Sequence, residues 1–162
     1  MRLVSAYYDE NTGVSYATVV HSINGLERRF EGIAKAHPEE ESKSRFTGCR
    51  YAEMRAQIKA LKAERECLIW KCEECRNFVK ACGQYKNWDK KSPIAKIVYR
   101  QLNTRIKQVN ELTNQINQLQ WDLNIAIRQQ SMIHTKLAGK RAQVAIIDEA
   151  CPEDVKAEID NQ

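Results

Sequence analysis

Only three prolines and six glycines occur in 162 residues, so the chain has few places where its backbone must turn or break. That scarcity excludes collagen-like and proline-rich classes. With 43% hydrophobic and 29% charged residues, the composition also argues against disorder and for a helix-rich fold. No apolar run approaches the ~20 residues that would span a bilayer. Met1-Arg2-Leu3 leads straight into alternating, strand-like sequence instead of a signal-peptide core, so a cytoplasmic protein of one domain, residues 1–162, is expected.

Catalytic signatures are missing as well. There is no P-loop, no nucleophile elbow, no H-E-x-x-H and no G-x-G-x-x-G. His21, His37 and His134 are scattered over a predicted strand, a loop and a distal helix, which gives no local acid–base or metal constellation. A non-enzymatic protein with no catalytic residues, no cofactor and no metal is the expectation.

The six cysteines invite a chemical reading that the periodicity argues against. Cys67, Cys72, Cys75 and Cys82 have a spacing superficially like that of an iron–sulfur run, but such ligands need a wrapping loop. Leu68, Ile69, Trp70 and Val79 instead keep helical period through the whole segment. Cys72-Glu-Glu-Cys75 has two carboxylates in mid-helix where a reactive thiolate would want positive charge. Reduced, small apolar packing residues are expected.

What is present is a clear succession of patterns. Arg2 to Tyr8 and Val14 to His21 are rich in β-branched and aromatic residues, with Asp9-Glu-Asn-Thr-Gly13 supplying turn chemistry between them. Asn24-Gly25 signals a type I′ hairpin into a third strand from about Leu26 to Ala36. His37-Pro38 ends the meander, residues 1–37. A helix then runs from about Ser42 to Gln84, broken at Gly48, and Ser92-Pro93 opens a second, reaching about Lys140. The fold class is therefore α+β: an N-terminal three-stranded antiparallel β-meander followed by a long antiparallel, coiled-coil-like helical hairpin over residues 42–140. Residues 141–162 are left as a C-terminal strand, short helix or tail.

Met54, Ile58, Leu61, Leu68, Cys72, Cys75, Val79 and Cys82 form a heptad-like seam interrupted by Arg65. Leu102, Ile106, Val109, Ile116, Leu119 and Leu123 answer it from the second helix. Ala52, Ala56, Ala60, Ala63, Cys67, Trp70 and Phe78 make a second stripe nearly opposite, whose partner is the sheet or a second protomer. Trp121, Ile125 and Met132 lie off the seam, so a homo-oligomer is expected, with Ala56, Ala60, Ala63, Trp70, Phe78, Trp121 and Ile125 as its packing face.

The net charge of +5 is modest, but part of it is concentrated. Tyr85, Lys86, Trp88, Lys90 and Lys91 at the hairpin tip, with Lys96, Tyr99 and Arg100 just beyond, interleave rings with cations. That composition suits a nucleic-acid backbone or an acidic protein groove. Arg55, Lys59 and Lys62 form a secondary basic strip on the first helix.

Phe30-Glu-Gly-Ile-Ala-Lys-Ala-His-Pro-Glu-Glu-Glu41 and Gly48-Cys-Arg-Tyr-Ala-Glu-Met-Arg-Ala56 resemble segments of small accessory proteins of Gram-positive phages and prophages, over about residues 14 to 105. The resemblance implies a short meander followed by paired long helices, and carries no site residue. It further implies a host-cytoplasmic binding protein that inhibits a defence component, an anti-CRISPR-like inhibitor of a Cas nuclease being the leading form. A nucleic-acid-binding accessory protein, an oligomeric sponge for a signalling nucleotide and a structural coiled-coil oligomer are the alternatives.

Overall fold

In the computed structural model of the chain, the residues described are 1–35, 45–84, 89 and 91–150, with His134 and residues 141–150 described by backbone only. Three strands, β1 (Arg2–Asp9), β2 (Val14–Ile23) and β3 (Leu26–Lys35), form one antiparallel sheet in the order β1-β2-β3. Two helices follow, α1 (Arg45–Gly83) and α2 (Pro93–Ala150). The α+β meander-and-hairpin architecture is the one the residue patterns dictate.

The turns use the expected chemistry. Between β1 and β2 the Asp9 carboxylate accepts from the Asn11 backbone N–H (3.0 Å) and the Thr12 hydroxyl (2.7 Å). Gly13 closes the turn with φ 68° and its N–H on Asp9 O. Asn24 and Gly25 hold φ 55° and 77°, the left-handed pair that a type I′ turn requires, between the paired residues Ile23 and Leu26.

Alternation along β2 decides which face is covered. Ser15, Ala17, Val19 and Ile23 are buried, while Tyr16 on the other face stacks with Tyr7 of β1 at a centroid distance of 4.9 Å. Helix α1 lies across the covered face at unusually short range. A Cβ on Gly32 would sit 1.9 Å from Ala52 O and 2.6 Å from Ala56 N. Backbone meets backbone there, and Ala52, Ala56 and Ala60 are fully buried. The small-residue stripe that could have served a second protomer therefore has its partner in the sheet at Ala52 and Ala56. This is a correction to placing Ala56 in an oligomer face.

Gly48 is a second correction. It interrupts nothing: α1 is continuous from Arg45, and the missing side chain leaves room for Ser15, whose Oγ would lie 2.2 Å from an added Cβ. Helix propensity loses about 1 kcal/mol at an internal glycine, which tertiary packing readily outweighs.

The opposite stripe of α1 makes the hairpin seam. Ile58 and Leu61 cluster with Ile116 and Leu123, flanked by Tyr51, Met54, Leu112 and Leu119. Lower on the hairpin, Arg105 Nη1 donates to Lys71 O (3.1 Å) and Cys75 Sγ (2.8 Å), and Cys72 is buried. The thiols are thus packing and hydrogen-bonding groups along α1.

Ser92 caps α2 as its sequence requires. Its Oγ accepts from Ala95 N at 3.2 Å, with Pro93 at the first helical position. The boundary expected near Lys140 moves, because α2 continues to Ala150, so of the strand, helix and tail alternatives residues 141–150 take the helical one as an extension of α2. Gly139 has open space around it, and no proline occurs between Pro93 and Pro152 to stop the helix. Residues 151–162 lie outside the described part.

Met1–Leu123 forms one compact unit, and a second begins at Asn124. Within the second, Ile127, Met132, Ile133 and Leu137 are exposed. Among the described residues, no helix is long and apolar enough to cross a membrane.

Candidate nucleic-acid interface

The fold commits most of its inward-turned cations to structural contacts. Arg55 Nη1 donates to Ile33 O (2.6 Å) and Lys59 Nζ to Glu31 O (2.7 Å). Spaced four apart on α1, they reach two backbone carbonyls of the sheet's outer strand, β3. Edge carbonyls are templates for unwanted strand pairing, and charged side chains laid over them blunt that edge. Two of the three residues of the basic strip therefore have a structural task, while Lys62 is half-buried beside them.

Other polar groups anchor the hairpin turn of the sheet to α1. Lys71 Nζ donates to Asn24 Oδ1, and Asn24 Nδ2 donates to Cys67 Sγ at 2.8 Å. His21 Nε2 lies 2.7 Å from Glu64 Oε2, with side chains 15% and 31% exposed. Among the described residues, no three His, Cys, Asp or Glu side chains converge as a metal site would need.

The first turns of α2 are different. Between Asp89 and Glu111 the sequence holds Lys90, Lys91, Lys96, Arg100, Arg105 and Lys107 and no carboxylate. Arg105 turns inward to α1, as its contacts with Lys71 and Cys75 show. Lys96, Arg100 and Lys107 fall on the outer face and are exposed. With Tyr99, Asn103 and Thr104 they line an open depression of about 460 Å³.

The spacing explains the convergence. Positions 96, 99, 100, 103, 104 and 107 advance by three and four, so they share one face of a helix. Asn103, Thr104 and Lys107 lie beyond the linear aromatic-basic segment at the tip, and the same spacing counted onward from Lys96 identifies them. The helix start adds to the positive potential, since the first turn of α2 has no acidic residue to offset its partial positive charge.

Of the tip residues, Tyr85, Lys86, Trp88 and Lys90 lie outside the described part. Lys91 is exposed, and its backbone N–H donates to Asp89 Oδ1 (2.8 Å). Lys96, Tyr99 and Arg100 are brought together as one face. Arg55, Lys59 and Lys62 sit elsewhere, beside the sheet edge.

The packing-face candidates divide. Ala56 and Ala60 are buried and Ala63 half-buried. Trp70, Phe78 and Trp121 are 56%, 46% and 60% exposed, and Ile125 is half-buried. No protein-family model, curated protein or solved structure matches the chain.

Proposed function

We propose that this is a non-enzymatic binding protein that holds nucleic acid through the outer face of the first four turns of α2. One observation carries the reading: Lys96, Arg100 and Lys107 line a single depression with an aromatic ring, in a stretch of helix without a carboxylate. Among the described residues, none of the three cations has a side-chain partner. Arg105, on the same stretch of helix, is committed to Lys71 O and Cys75 Sγ, whereas the charge of these three is available to phosphates. The protein would act in the cytoplasm, where its reduced thiols fit.

The test is an electrophoretic mobility shift at low salt with random-sequence nucleic acid. The wild-type protein should shift it, and Lys96→Gln/Arg100→Gln/Lys107→Gln should not. A wild-type protein that leaves the probe unshifted ends the proposal.

A second reading, self-association as a coiled-coil oligomer, is favoured by a separate observation. Trp70 and Trp121 of the first unit are more than half exposed, and within the second unit Met132 and Ile133 are as well. Exposed large apolar side chains on a helix are what a coiled-coil partner would cover. This reading needs no nucleic acid.

Inhibition of a Cas nuclease, and sequestration of a signalling nucleotide, follow from the phage resemblance and have no residue of their own in the fold. Each makes a distinct prediction. A nuclease target would co-purify after the nucleic acid has been digested away, and a captured nucleotide would be released on heating the pure protein.

A further inference from the structure

We infer that the α2 face takes single-stranded nucleic acid in preference to a duplex. This rests on the function proposed above. Two features of the site carry it.

The first is the helix pair. Arg105 ties α2 to α1 through Lys71 O and Cys75 Sγ, and Ala95 is fully buried, so the helix bearing the basic face does not stand alone. The major groove of B-DNA is about 12 Å wide and admits one helix of about 10 to 12 Å diameter. Because α1 lies behind α2, only the outer face of α2 can approach such a groove, and there Lys96, Arg100 and Lys107 meet phosphates while a stacked duplex offers Tyr99 no free base face. The A-form major groove is too narrow for side chains to read.

The second is Tyr99. It is half-buried, so its neighbours hold it in place, and it lines the same depression as Lys96 and Arg100, which flank it at three residues before and one after. A ring among cations is useful to an unstacked base and idle against a duplex backbone. Lys96 to Lys107 covers roughly 16 Å of helix axis, the length of about five stacked nucleotides. Asn103 supplies amide donors and an acceptor to sugars and base edges along that path. The Thr104 hydroxyl donates to Arg100 O (2.9 Å) and keeps its lone pairs to accept.

The experiment is fluorescence anisotropy at low salt, using labelled oligothymidylate and oligouridylate of about 12 nucleotides and a duplex of the same length. The full chain should bind the single strands at least ~10-fold more tightly than the duplex. Tyr99→Ala should weaken single-strand binding roughly 10-fold and leave duplex binding unchanged, while Tyr99→Phe should bind as the wild type does.

Equal affinity for strand and duplex, or single-strand affinity indifferent to Tyr99→Ala, overturns this inference and leaves the proposed function standing. No binding of any oligonucleotide by the folded protein removes both. If Tyr99→Ala does not fold, the wild-type ratio of strand to duplex decides.

Discussion

Gly32 of β3 lies directly under the backbone of Ala52 in α1, so close that a Cβ at position 32 would fall 1.9 Å from the Ala52 carbonyl oxygen. No rotamer change relieves that overlap, because the other near atoms, Ala56 N and Ala52 C, are also backbone. Gly32→Ala should therefore destabilise the protein by about 3 kcal/mol or more, measured by urea unfolding. Gly25→Ala is the control. It has nothing within 4 Å but a φ of +77°, so only backbone strain of about 1–2 kcal/mol is expected.

The seam between the helices is the other half of the core. Ile116 is 1% exposed and packs with Ile58, Leu61 and Leu123. Ile116→Ala should lower stability by about 2–5 kcal/mol in the same assay. Leu112→Ala, at a half-buried flanking position, should have a smaller effect.

Arg55 and Lys59 are predicted to protect the β3 edge. Replacing both with alanine removes the donors to Ile33 O and Glu31 O. The expected result is a loss of about 1 kcal/mol, together with concentration-dependent association beyond that of the wild type, read by light scattering at matched concentration. Unchanged stability and unchanged scattering would mean that the two cations are merely solvated.

Acid should weaken the first hairpin turn. Asp9 is held below its ordinary value of 3.8, chiefly by the Thr12 hydroxyl and then by the Asn11 N–H. A lowered folded pKa means that this contribution is complete above the ordinary value and disappears as pH falls through the lowered one. The Tm difference between the wild type and Asp9→Asn should therefore shrink as the buffer is taken from about pH 5 to about pH 2.

Much of the architecture was legible because local rules and tertiary packing agree. Asn24-Gly25 dictates its turn, Ser92-Pro93 dictates its helix start, and the period of Ile58, Leu61, Ile116 and Leu123 dictates the seam. The misreadings share a cause. Gly48 looks like a helix break and Ala56 like an oligomer contact only until the sheet is in place, since neither residue reveals which part of the sheet it approaches. Leu112, three residues after Val109 and four before Ile116, continues the seam at heptad spacing and packs against its core. Helix α2 runs about three turns beyond Lys140, and no proline or glycine between Gly139 and Ala150 opposes that extension.

The basic site was half visible. Composition marked the segment around the tip, and Lys96, Tyr99 and Arg100 belong to both descriptions. Extending it to Asn103, Thr104 and Lys107 requires treating α2 as a surface with a period. Recognising that Arg105 is excluded requires knowing that it faces α1.

The salt dependence of single-strand binding tests the central claim most directly. Three cations on phosphates release counterions in proportion, so a plot of log affinity against log salt should have a slope of about −2 for the wild type. For Lys96→Gln/Arg100→Gln/Lys107→Gln the residual slope should be near zero. A folded wild-type protein with no measurable binding at low salt, or a triple variant with the wild-type slope, would contradict the account.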